Sequence, residues 1–169
     1  DDWDDGLRGL RHYPLSWPAL VSSFDRLPFF EASLDAIIFN GSFHYSHIQS
    51  DTLEEAKRVL KPGGQIIIMD SPIYGDPSSG KQMMADRARY HLDTFQYQNE
   101  IDITGFLTWK QLEKLAKHHD LELGVITPWY GLKWALRPVL SWILRSRQPA
   151  RFALVVLKKL KNDGDPRPR

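Results

Sequence analysis

Apolar residues in this chain fall into short unbroken runs, separated by longer stretches in which they recur every three or four positions. The run Leu34 to Asn40 (LDAIIFN) is nearly continuous, as expected of a strand covered on both faces, and predicts a central strand. Asp51 and Glu54 form a capping-box pattern, with Leu53, Ala56, Val59 and Leu60 following at helical spacing. Pro62, Gly63 and Gly64 end that helix, and Gln65 to Asp70 (QIIIMD) reads as the next buried strand, closed by Ser71 and Pro72. Thr108 and Gln111 repeat the capping pattern before Leu112, Leu115 and Ala116, which predicts a helix to about His119. Leu121 to Thr127 and Arg151 to Leu160 are further strands, the last turning basic at its end. Between them Leu132, Leu136, Val139, Leu140, Ile143 and Leu144 lie at helical spacing, with Pro138 as an expected kink or break. Strands alternating with helices predict an α/β layer fold with a largely parallel sheet.

Two segments are long for connections. Residues 74–106 hold a helical pattern of their own, with Met84, Ala88, His91 or Leu92, and Phe95 on one face, which reads either as a lid-like insertion or as a helix packed on the core. Residues 129–147 interleave Trp129, Tyr130, Trp134 and Trp142 with Lys133, Arg137, Arg145 and Arg147, an amphipathic insertion. That pattern fits a solvated basic face over a core stripe, or a weak peripheral membrane contact. The expected organisation is one domain over 1–161, with a disordered tail of Pro, Gly and charge at 162–169.

The 169 residues suit one sizeable core. With 42% hydrophobic and 25% charged residues the composition is that of a globular protein. A net charge of +1, from 22 basic and 21 acidic residues, supplies no overall field toward nucleic acid, and no nucleic-acid partner is expected. Cysteine is absent, which excludes disulfides and thiolate metal sites and agrees with a cytoplasmic setting. No run approaches the roughly 18 apolar residues of a membrane span, and the acidic start is not a secretory leader. His44 and His47 have a spacing that can share a metal on a helix, but no third ligand accompanies them, so no metal is expected.

The blocks Leu27-Pro28-Phe29, Leu34-Asp35-Ala36-Ile37-Ile38 and Glu55-Ala56-Lys57-Arg58-Val59-Leu60-Lys61-Pro62-Gly63-Gly64 occur in an order and spacing that resembles the type 11 family of class I S-adenosylmethionine-dependent methyltransferases. The resemblance spans roughly Phe24 to Leu160. It implies a Rossmann-like methyltransferase fold with strands in the order 3-2-1-4-5-7-6 and an antiparallel last strand. The four runs above would then be strands four to seven, with strand three near Ala19 to Phe24. No glycine-rich turn precedes residue 34, so the chain is expected to be N-terminally truncated, with the first two strands upstream and the strand-two acid either Asp1 or Asp2 or, as favoured here, just upstream.

The resemblance also implies a site. S-adenosylmethionine would lie across the carboxyl ends of the strands. The adenine-facing acid of the family falls on Ser23, with Asp25 nearby as a second acceptor, and Phe24 would either flank the adenine or serve as core. Asn40 and Gly41 would line the methionine end, where glycine lets backbone approach closely. His44 and Tyr45 would face substrate, with Tyr74, Trp129 and Tyr130 as further acceptor contacts. Methyl transfer from a sulfonium needs mainly alignment and exclusion of water. A base is required only for a protonated nucleophile, and His44 has the fitting ordinary pKa; its other reading is positioning or packing. The implied function is methyl transfer to a small molecule by a parent protein, of which this piece alone would be inactive. A non-catalytic methyltransferase-like scaffold and a peripheral membrane-interaction domain remain as alternatives.

Overall fold

A computed structural model describes residues 18–96, 103–144 and 147–160. Six strands and four helices are seen among them: β1 (Leu34–Asn40), α1 (Gln49–Val59), β2 (Leu60–Met69), β3 (Ile73–Tyr74), α2 (Pro77–Phe95), β4 (Leu107–Thr108), α3 (Trp109–His118), β5 (Leu121–Ile126), α4 (Leu132–Ile143) and β6 (Leu154–Lys159). Four strands form one sheet in the order β1-β2-β6-β5, with β3 and β4 as a short separate pair. β1 and β2 run parallel, and β6 is antiparallel to both β2 and β5. Three strands therefore point one way and the last is reversed, in the 4-5-7-6 arrangement expected above.

The Pro-Gly-Gly run does more than end a helix. α1 stops at Val59, and β2 starts at once with Leu60 paired to Leu34. The next partners are Ala36 and Gln65, so Lys61 to Gly64 bulge out of the ladder. Gly63 takes φ 80°. A Cβ on Gly64 would lie 2.9 Å from the Lys61 carbonyl oxygen and 3.1 Å from that of Asp35, so only glycine fits this close approach.

α1 contributes Leu53 and Ala56 to one core cluster with the sheet residues Ile66, Ile68, Val155 and Leu157, Val59 is buried as well, and full burial of a side chain such as Leu53 contributes about 1.5–3 kcal/mol. Its start differs from expectation. Ile48 is the N-cap and makes no side-chain cap, so Asp51 sits inside the first turn, where its charge favours the helix dipole. At the other end Lys159 Nζ donates to the carbonyls of Lys57 at 2.9 Å and Leu60 at 2.8 Å, which explains why the last strand turns basic. The second capping pattern holds: Thr108 Oγ1 accepts from the Gln111 amide at 3.2 Å. α3 then places Leu112 and Ala116 in the core. Pro138 neither breaks nor ends α4, which runs through it.

The strand expected near Ala19 to Phe24 does not form. Residues 18–24 pair with no strand, and Ser23 and Arg26 close only an isolated bridge. Leu20 and Val21 are exposed, so their apolar character has no sheet face to fill. Among the described residues the outer edge of β1 is unpaired, and Ile38 on it is 60% exposed. The implied strand-two acid and the tail at 162–169 lie outside the described residues, as do residues 97–102 of the 74–106 insertion.

Candidate active site

The signature blocks hold the site's scaffold. Glu55 Oε1 accepts from the Leu27 amide at 2.7 Å, while Arg58 donates to the Leu27 carbonyl at 3.2 Å and the Phe29 carbonyl at 3.0 Å. Glu55 and Arg58 also pair with each other at 2.7 Å, and this hydrogen bond is the main cause of a Glu55 pKa below the usual carboxylate value. The Leu-Pro-Phe segment is thus clamped to one face of α1. Just before it Phe24 packs edge-on against Phe39 of β1, with ring centroids 5.7 Å apart, and Phe39 meets Phe43 at 5.2 Å. The core reading of Phe24 is satisfied, and the residue also stands beside the last turn of β1. Ser23 and Asp25 are exposed and hydrogen-bonded to each other.

At the carboxyl end of β1, Asn40 is exposed and the chain turns through Gly41 at φ 60°. The Gly41 amide donates to the Met69 carbonyl at 2.9 Å, so β2 ends beside it. The next residue of β2's chain, Asp70, also adopts a positive φ, 51°. A Cβ on Gly41 would meet only Asp70, with Oδ2 at 3.7 Å. Two residues in left-handed conformation, Gly41 and Asp70, therefore lie beside each other at the carboxyl ends of β1 and β2. A single 3₁₀ turn, Phe43–Tyr45, follows.

That turn buries His44 and leaves Tyr45 at the surface. His44 Nδ1 lies 3.0 Å from Ser71 Oγ, and its ring stacks at 4.2 Å on Tyr45. Arg87 of α2 donates to the Tyr45 hydroxyl at 3.2 Å. Burial first, and the Arg87 guanidinium second, lower the His44 pKa to about 4, against a smaller opposing pull from Asp70. At neutral pH His44 is uncharged.

Asn40, Gly41, His44 and Tyr45 are thus brought together as expected, joined by Asp70, Ser71 and Arg87, which the sequence reading did not single out. The first two had a signal: parallel neighbours β1 and β2 end side by side, so residues just past β2 must flank those past β1. Arg87 had none, since a helix in an insertion gives no hint of what it faces. The other three expected acceptor contacts group elsewhere. Tyr74 is buried edge-on against Phe106 at 5.8 Å, and burial raises its pKa. Tyr130 stacks on Trp134 at 5.3 Å, and Trp129 stands exposed at the start of α4.

A polar cleft of about 1530 Å³ opens on the other side of α2, lined among others by Asp76, Gln82, Asp86, Trp109, Arg147 and Arg151. Asp86 pairs with Arg147 at 3.3 Å across it. Consecutive residues Asp86 and Arg87 therefore serve two spaces that α2 separates. Among the described residues no group of three His, Asp or Glu comes together as a metal site.

Three co-directional strands with a reversed strand between the last two have the order and directions of a Rossmann-like methyltransferase fold. Residues 9–68 match the model of the family described as methyltransferase domain. The chain is 40% identical over 53 residues to an uncharacterised Escherichia coli protein, YafE, across 31% of this chain and 26% of that protein. It is 33% identical over 89 residues to malonyl-[acyl-carrier protein] O-methyltransferase 1 of Coxiella burnetii, across 53% of this chain and 30% of that protein. An S-adenosylmethionine-dependent methyltransferase structure from Methanosarcina mazei superposes with a TM-score of 0.54 at 14% identity, covering 92% of this chain and 76% of that one. The sequence similarity to a methyltransferase domain is thus carried by residues 9–68, and the matches span less than a third of the length of these two curated relatives.

Proposed function

We propose that the protein transfers the methyl group of S-adenosylmethionine to a small acceptor bearing a carboxylate, at the carboxyl ends of β1 and β2. The carrying observation is the meeting of the Gly41 and Asp70 turns at the carboxyl ends of two parallel strands, beside the His44–Ser71 and Tyr45–Arg87 pairs. The residues present fit one side of the cofactor: a glycine turn without a Cβ, an exposed Asn40 amide for the methionine end, and the Phe24–Phe39 pair as an apolar wall. When bound, the cofactor supplies a methyl carbon already activated on sulfonium sulfur. The protein's share is alignment and exclusion of water.

Arg87, half-buried and held by Tyr45, is placed to pair with an anionic acceptor, and guanidinium suits carboxylate geometry. A carboxylate reaches the site already deprotonated, so no base is needed. That accords with a His44 whose pKa of about 4 makes it a poor base at neutral pH and whose bond to Ser71 suits a positioning role. The O-methyltransferase named among the relatives supports an oxygen acceptor. A cytoplasmic setting completes this reading, supported by a chain without cysteine.

Titration of the labelled chain with S-adenosylhomocysteine to millimolar levels should shift the amides of Asn40, Gly41, Asp70 and Ser71. Shifts confined to other regions, or none, would overturn the proposed site.

A further inference from the structure

α4 is built the wrong way round for a helix of a globular core. At about 100° per residue its apolar positions Leu132, Leu136, Val139, Leu140 and Ile143 fall on one stripe. That stripe faces water: Leu132 is 72% and Ile143 61% exposed. The helix touches the protein through the opposite side. Trp134 meets Phe152 at 6.3 Å, Pro138 is half-buried and Ser141 is buried, three positions spaced i, i+4 and i+7. Sequence periodicity alone would assign the apolar stripe to the core; the structure turns it outward.

Its surroundings continue the pattern. Ile126 at the end of β5, Trp129 and Tyr130 extend the exposed apolar surface from the helix start. No acidic residue occurs between Glu122 and Asp163, while Lys133, Arg137, Arg145, Arg147 and Arg151 all lie in that interval. Lys133 and Arg137 flank the stripe on one side, and the Arg137 guanidinium lies 4.3 Å over the Trp134 ring, held at that border. α4 itself carries Lys133 and Arg137 and no acidic residue, whereas Arg147 is paired with Asp86 and lines, with Arg151 and Asp76, the cleft that Ile143 borders. With 12 residues α4 is too short to span a bilayer, and no described helix is long and apolar enough to do so.

We propose that α4 docks this protein on an anionic membrane surface, lying in the interface plane with Leu132, Leu136, Val139 and Ile143 in the acyl boundary and the flanking basic side chains on acidic headgroups. The occupant is a lipid surface rather than a second copy of the chain. A self-complementary contact through the stripe would bring the flanking Lys133 and Arg137 of two copies to one seam, whereas an anionic bilayer satisfies the apolar and the cationic parts at once.

Cosedimentation of the full chain with phosphatidylcholine vesicles, with and without about a third phosphatidylglycerol, tests this. Binding should require the anionic lipid and fall with added salt. Each basic residue near the surface contributes roughly a fivefold gain in affinity, so K133Q with R137Q should weaken binding on the order of 25-fold. Leu136→Asp with Ile143→Asp should abolish it while leaving the thermal midpoint unchanged, because both side chains are already in water. Equal binding to neutral and anionic vesicles, no binding to either, or a dimer in solution that the Asp pair dissociates would each overturn the proposal.

Discussion

The buried imidazole at the site predicts a specific acid weakness. His44 has an ordinary pKa of 6.5 and is held at about 4 in the folded protein, chiefly by burial and then by Arg87. The unfolded chain therefore takes up this proton more readily, so stability falls as pH drops below 6.5 and levels off only below 4. For one site with these two pKa values, linkage gives a loss relative to pH 7 of about 2 kcal/mol at pH 5 and about 3 kcal/mol at pH 4. Urea denaturation of the wild-type chain and of His44→Gln at pH 7 and pH 5 isolates the effect. Glutamine does not titrate and can still bond to Ser71 Oγ. Both proteins lose stability from other groups, including His119, whose pKa is also lowered mainly by burial, but the wild type should lose about 2 kcal/mol more. At an m-value near 2 kcal/mol/M that is an extra midpoint shift of about 1 M urea. Parallel losses in the two proteins, or an imidazole resonance of His44 titrating near 6.5, would refute the reasoning.

Other outcomes follow from the packing. A Cβ on Gly80 would lie 2.3 Å from the Phe106 ring, so Gly80→Ala should push α2 outward and cost about 1–3 kcal/mol in thermal or chemical denaturation. At Gly41 a Cβ meets only ordinary contacts, so Gly41→Ala should cost just the left-handed backbone penalty, about 1–2 kcal/mol. Replacing Glu55 by Gln removes the charge from the clamp on Leu27; hydrogen exchange at the Leu27 amide should accelerate with little change in α1, and unchanged protection would show that the clamp is ornamental.

The sheet could be read from sequence because its strands are short continuous apolar runs and its helices carry one clear stripe each. The reading failed where an apolar residue type and its burial part company. The strand that the resemblance implied near Ala19 to Phe24 would have to cover Leu20 and Val21, which stand exposed, and the α4 stripe suggested core but points to solvent. The capping rule succeeded at Thr108, where the side chain faces a free amide, and misplaced the start of α1, where Ile48 stands first without a polar cap. Half of the site was legible for a related reason. Asn40 to Tyr45 directly follow a recognisable strand, whereas Arg87 reaches Tyr45 across 42 residues of chain, a contact that only the placement of α2 creates.

The clamp of Glu55 and Arg58 on the Leu-Pro-Phe segment bears on what a signature can tell. Its two charged residues spend their hydrogen bonds on backbone and on each other, and its Gly64 allows close approach to the Asp35 carbonyl. None of these bonds involves Asn40, His44, Tyr45 or Arg87. A chain carrying the same run would therefore inherit the same joinery whatever it methylates. The signature identifies the bench and says nothing about the workpiece.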